Sequence, residues 1–409
     1  MTHARNAEML RWLDSQRDAQ TRFLAELVKV PSDNPPGACA AHAERAATLL
    51  ENLGFAVERH TVPGELVRAN GMVSAVNLIV RRRFGPGPVV GLNAHGDVVP
   101  PGEGWSVDPY GAAIRDGWMY GRGVAVSKSD FATYAFAVKA LEAGAQARGT
   151  VELHFTYDEE AGGAVGPAWL LSERLTKPDF AISAGFSYTI TTAHNGCLHL
   201  EVAVRGKSAH AAQPASGHDA LEAAAQILNA LYAQRPELAR LVSKTPGIGS
   251  PNLTVGLIKG GINTNVVPDL VTFRLDRRII PEENPAAVEA ALRRRIEESA
   301  RGRPGIGVEV RRVLLAEPLV PRAGAEKLVS AIQRHARDIL GEGIAAEGVP
   351  LYTDARHYSA AGIPTVLYGA GPRTLGEANA HRADERLKLD DLYKATKIVA
   401  LALADVLDG

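Results

Sequence analysis

The chain of 409 residues carries 45 Lys and Arg against 46 Asp and Glu, a formal net charge of -1, so no global basic field points to a nucleic acid partner. Charged residues are 22% and apolar residues 46%, ordinary for a soluble globular protein, and this length suggests two domains. Cys39 and Cys197, the only cysteines, supply neither a disulfide framework nor a thiolate metal set; with no apolar leader-like N-terminus and no run of about 18 apolar residues, a cytoplasmic protein with no membrane span is expected.

Residues 6–30 carry apolar side chains at helical spacing until PSDNPPG ends the pattern. A second helix follows in AHAERAATLLENLGF, closed by Gly54. Buried strands are predicted within MVSAVNLIVRRR, PVVGLNAHGDVVP and TVELHFTYDEE, with the helix DFATYAFAVKALEAG between the last two. Strands alternating with helices predict an α/β architecture with a partly parallel sheet. From about residue 193 the texture changes. CLHLEVAVRGKSAH alternates as a half-exposed strand does, then come a helix, the strands NLTVGLIKGG and LVTFRLDRRII, and a further helix. This is the pattern of an inserted α+β sandwich. The α/β texture returns near 312 with AEKLVSAIQRHARDIL, PTVLYG and DDLYKATKIVALALADVL. The reading is a catalytic domain over 1–192 and 312–409, interrupted over 193–311. The arginine triplets at 81–83 and 293–295 read as solvated faces.

His95 and Asp97 end a predicted strand two residues apart, so both side chains share one side. A metal-bound imidazole commonly needs a carboxylate on its other nitrogen. Asp158, Glu159 and Glu160 end another strand, and three adjacent anions repel unless a cation compensates them. One glutamate would bind metal while its neighbour acts as general base. His381 precedes the last helix and His210 follows a strand of the inserted segment.

In this order and spacing, AHGDVVP, DGWMYGRG, YDEEAGG, GKSAHAAQP, NTNVVPD, LDRRIIP, YTDAR, GIPTVLYGAGP and AHRADE resemble the aminoacylase, carboxypeptidase G, acetylornithine deacetylase and succinyl-diaminopimelate desuccinylase family of metallohydrolases over nearly the whole chain. The resemblance implies a mixed-sheet, metallopeptidase-like α/β catalytic domain with an inserted α+β lid and dimerisation domain, hence a homodimer or higher homo-oligomer. It implies metal ligands at His95, Glu160 and His381, a general base at Glu159, and Asp97 as the partner of His95. His210, Asn265 and Arg278 match lid residues that meet the substrate.

Two positions depart from the family pattern. The aspartate that bridges two metals in the family is Val126 here, and a further carboxylate ligand is Gly185. Asp130, one helical turn or about 5 Å further on, is too far to replace a ligand with bonds of about 2 Å. The expectation is one weakly held divalent ion per chain, manganese, cobalt or zinc, on His95, Glu160 and His381. Such a site suits a substrate that needs less Lewis-acid help than a peptide. Within the family that activity is the hydrolytic deamination of 5-nitroanthranilate to 5-nitrosalicylate and ammonia, with Arg278, Asn265 and Arg373 available to the substrate carboxylate and Phe186 and Tyr352 bordering its pocket. A two-metal N-acyl amino acid deacylase or dipeptidase, and a non-catalytic binding protein, are the alternatives. The dinucleotide fingerprint is incomplete in GRGVAV, and no G-x-S-x-G elbow occurs.

Overall fold

The computed structural model describes residues 2–144 and 148–408. The chain divides into two compact units: residues 1–192, 321–347 and 353–409 form the larger, and residues 193–320 with 348–352 the smaller. The boundary expected at 311 falls inside the strand Gly307–Ala316, which pairs antiparallel with Gly196–Arg205, so the interrupting unit runs on to residue 320.

The larger unit is built on an eight-stranded mixed sheet. Its order is Val57–Thr61, Val76–Arg83, Thr150–Thr156, Val89–His95, Phe180–Ser183, Thr365–Leu367, Thr189–His194 and Ala345–Val349. Val89–His95 lies between two parallel neighbours, Thr150–Thr156 and Phe180–Ser183. Its carboxyl end therefore opens onto the crevice where such sheets collect ligands.

The helix Lys128–Ala143 is apolar on nearly every side, because it is covered by Thr2–Ser15, Arg17–Val28 and Leu389–Asp408 as well as by the sheet. Phe131 stacks on Phe155 at 3.8 Å between ring centroids, joining that helix to the sheet. The single helix expected over 6–30 is two, broken at Gln16. There Ser15 Oγ donates to the Trp12 carbonyl at 2.7 Å, a local bond that competes with continuing the helix.

The smaller unit is a four-stranded antiparallel sheet in the order Asn252–Gly260, Leu270–Ile279, Gly196–Arg205 and Gly307–Ala316. The helices Ala220–Tyr232 and Pro285–Ala300 pack on one face, each with a side-chain cap, Asp219 and Asn284. Leu198, Leu200, Val202 and Val204 point into that core. Strand periodicity therefore puts Cys197, His199, Glu201 and Ala203 on the opposite face.

Candidate metal centre

Two strand ends and one turn assemble the site. His95 closes its strand as a buried imidazole, with Nδ1 2.9 Å from the backbone oxygen of Asp97 and 3.3 Å from Asp97 Oδ1. Those contacts leave Nε2 to point at the glutamates, 4.0 Å from Glu159 Oε2. Asp97, fully buried, spends both oxygens on the turn. Oδ1 accepts the Glu159 amide at 3.2 Å, and Oδ2 accepts the Glu160 amide at 3.2 Å and Asn34 Nδ2 at 3.0 Å. One carboxylate thus orients the histidine and fixes both glutamate backbones.

The turn follows the strand Thr150–Thr156 as a single 3-10 turn, Glu159–Ala161, ended by Gly162 and Gly163 at positive φ. Ligand atoms of His95, Glu159 and Glu160 all lie within 4.8 Å of one another. Glu160 Oε1 is 3.3 Å from Nε2 of His381, which sits half exposed at φ 61°. Two carboxylates and two imidazoles with converging nitrogen and oxygen donors fit a divalent transition ion.

The electrostatics express a deficit of positive charge. Burial, reinforced by Glu160 and Asp97 and opposed by His95, pushes the Glu159 carboxyl up to about 8. For His95 burial opposes protonation, but Asp97, Glu159 and Glu160 outweigh it and carry the imidazole well above its ordinary value. The bond to Glu160 raises His381 despite desolvation. Buried Asp158 and Asp354 each leave Oδ1 without a hydrogen-bond partner, and burial raises both, reinforced by Asp354 and Asp97 at Asp158 and by Glu159 and Asp97 at Asp354.

The loop carrying Val126, where the resemblance places a carboxylate ligand, is held from behind. Glu385 Oε1 accepts the amides of Ala125 at 3.0 Å and Val126 at 3.3 Å, while its Oε2 pairs with buried Arg122 at 2.6 Å. Val126 thus keeps a fixed backbone with no donor atom on its side chain. Asp130 does not replace it. Its buried Oδ1 accepts the amide of Ala370 at 2.7 Å, which holds it to the core. A Cβ on Gly185 would stand 2.8 Å from the Leu367 carbonyl carbon and the Tyr368 amide nitrogen, so this position is closed to a side chain.

Of the ten residues singled out from sequence, Asp97, Glu159, His95, Glu160 and His381 come together. His210, Asn265, Arg278 and Tyr352 belong to the smaller unit. His210 and Asn265 are exposed, with the Asn265 carbonyl accepting the Ala211 amide at 3.0 Å. Arg278 is held by Asp276, Nε to Oδ1, at 3.1 Å. Arg373 is in the larger unit, but its partners are Glu342 at 2.5 Å and the Tyr188 ring, 3.7 Å below the guanidinium, rather than the cluster. Sequence reasoning missed Asn34, Arg122, Ser127, Asp354 and Glu385. Arg122 and Glu385 lay inside quoted motifs, yet only burial reveals them as one ion pair across 263 positions.

A mixed sheet with a histidine–glutamate cluster beyond its central strand is the arrangement of a metal-dependent hydrolase. The profile of peptidase family M20/M25/M40 matches residues 91–405, and the chain belongs to that family. It is 29% identical to an acetylornithine deacetylase of Myxococcus xanthus, over 89% of this chain and 91% of that one. It is 26% identical to a succinyl-diaminopimelate desuccinylase of Wolinella succinogenes, over 80% and 87%. Among solved structures, an M20 family metallo-carboxypeptidase of Sulfolobus solfataricus superposes with a TM-score of 0.79 at 19% identity, covering 95% of this chain and 99% of that one. Among the described residues no helix is long and apolar enough to cross a membrane.

Proposed function

We propose that this chain hydrolyses the amide bond of a small carboxylate-bearing N-acyl amino acid, using a reduced metal centre. The carrying observation is the convergence of His95, Glu159 and Glu160 within 4.8 Å, with His381 3.3 Å from Glu160. Named relatives that act on succinylated and acetylated amino acids support the substrate class. Deamination of 5-nitroanthranilate, expected from the missing ligands, is less well supported than amide hydrolysis, because the relatives named above act on acylated amino acids.

Glu160 and His381 would hold one divalent ion, with His95 at its edge. Val126 and Gly185 contribute no charge to offset a second dication, and Coulomb repulsion disfavours a pair. When bound, the ion acts as a Lewis acid that polarises the acyl oxygen and makes water more acidic. Glu159 takes the proton as water adds to the acyl carbon, then delivers it to the nitrogen as the C–N bond breaks. Asp97 keeps His95 in register and fixes the Glu159 backbone. Arg278, Asn265 and His210 are assigned to the substrate carboxylate. Weak binding of manganese, cobalt or zinc, a cytoplasmic location and a homodimer through the smaller unit complete the reading.

The test is metal analysis coupled to turnover. Purified chain is loaded with each metal in turn and assayed on N-succinyl and N-acetyl amino acids, dipeptides and 5-nitroanthranilate. Metal-dependent amide hydrolysis with one ion per chain is the expected result. Release of ammonia from 5-nitroanthranilate without amide turnover would overturn the substrate class, and two tightly held ions the reduced centre.

A further inference from the structure

The smaller unit carries a second convergence of donors, made from different residues. On the face of its sheet away from the helices, Cys197 and His199 stand two apart on one strand. Asp276 is the direct antiparallel partner of His199, and Arg278 that of Cys197. The Cys197 sulfur is 3.1 Å from His199 Nε2, the same nitrogen is 3.1 Å from Asp276 Oδ2, and sulfur and oxygen are 3.7 Å apart.

We propose that Cys197, His199 and Asp276 form a binding site for a zinc-class divalent ion, independent of the His95 cluster. Two cysteines cannot make a thiolate set. One thiolate is enough when the sheet places an imidazole and a carboxylate beside it.

The thiol and the imidazole both reach Asp276 Oδ2, so the three donors already converge on one point. A cation at the centre satisfies all three donors at once. Tetrahedral zinc, with bonds of about 2.3 Å to sulfur and about 2.0–2.2 Å to nitrogen and oxygen, separates its ligands by about 3.4–3.6 Å. The observed separations of 3.1, 3.1 and 3.7 Å need shifts of only a few tenths of an ångström.

The donor set is selective in kind. A thiolate beside an imidazole favours borderline ions over magnesium or calcium, which take oxygen. Arg278 supplies the outer support, as its Nε holds Asp276 Oδ1 at 3.1 Å and leaves Oδ2 for the centre. Cys197 is buried while His199 and Asp276 remain partly exposed, so an ion has a way in. Three protein donors leave a fourth position for water or a small anion.

Cobalt reads this site without reference to turnover. The full chain, kept reduced with a non-thiol reductant, is titrated with Co²⁺ alone, and the thiolate-to-cobalt charge-transfer absorption is followed. The His95 cluster holds no thiolate, so the band reports only a cysteine-bound ion. The band is expected in the native chain and in Cys39→Ser, and absent in Cys197→Ser. His199→Gln should weaken cobalt binding at this site at least tenfold, and Zn²⁺ should displace the cobalt. Absence of the band at saturating cobalt overturns the proposal, as does a band that persists in Cys197→Ser. Should Cys197→Ser fail to fold, His199→Gln decides, since unchanged affinity there also overturns it.

Discussion

The hydroxyl of Ser127 lies 3.1 Å from both the amide nitrogen and the carbonyl oxygen of His95, bridging the start of the helix Lys128–Ala143 to the last residue of the central strand. Ser127 is thus a positioning residue for the histidine. Ser127→Ala leaves a buried amide without that acceptor, at a cost of about 1–3 kcal/mol. The variant should unfold at lower denaturant and bind its metal several-fold more weakly. Unchanged metal affinity by titration calorimetry would remove this role.

Asp97 uses both oxygens as acceptors, from Glu159, Glu160 and Asn34. In Asp97→Asn one of those oxygens becomes an NH₂ facing another donor. Turnover should fall at least tenfold with KM little changed, because the defect lies in the glutamate turn. A loss confined to KM would argue against it.

Glu159 stands 4.0 Å from His95 and, in the proposed reaction, carries the proton. Glu159→Gln should lose turnover by roughly the 10²–10⁴-fold typical of general-base removal while still binding metal and substrate. Retained turnover would reassign the base.

Val126 and Gly185 replace carboxylates under different constraints. The Val126 side chain is half buried, whereas a Cβ at Gly185 meets backbone at 2.8 Å. Val126→Asp should therefore raise metal uptake from one ion toward two per chain. Gly185→Glu should gain no metal and lose thermal stability. Elemental analysis beside a melting curve separates the two.

Asp130 tests both the pH response and the ligand assignment. Burial raises its carboxyl from 3.8 to about 7, opposed by the Ala370 and Gly185 amides. Between those values the folded chain keeps a proton that the unfolded chain has released. This contribution to stability is thus complete below about 3.8 and lost as pH rises toward about 7. Asp130→Asn keeps an accepting oxygen for the Ala370 amide but does not titrate. Its advantage over the native chain in urea unfolding should grow from pH 4.5 to pH 7.5 and then level off, with metal content unchanged. Loss of metal in this variant would make Asp130 a ligand after all.

Much of the candidate cluster was legible because its chemistry is local. His95 with Asp97, and Glu159 with Glu160, are each one strand end, and period-two geometry or a single turn decides where they point. His381 was legible through its motif. The buried pair Arg122–Glu385, the support of Ser127 and the unpartnered oxygens of Asp158 and Asp354 were not. Each depends on which segments the sheet brings together, and a charged residue in a loop reads as solvated until its burial is known.

The chain by itself determined the family and the interrupted α/β architecture, and it places Val and Gly at 126 and 185, where the resemblance expects carboxylates, because these follow from residue identity and order. Only the tertiary structure decided whether a neighbour replaces them. Asp130 was close enough in sequence to be weighed as a substitute. Its carboxylate instead accepts the amide of Ala370, since a buried acceptor takes the nearest donor the fold presents. The pairing of Cys197 and His199 with Asp276 was likewise invisible until antiparallel register set strands 77 positions apart side by side.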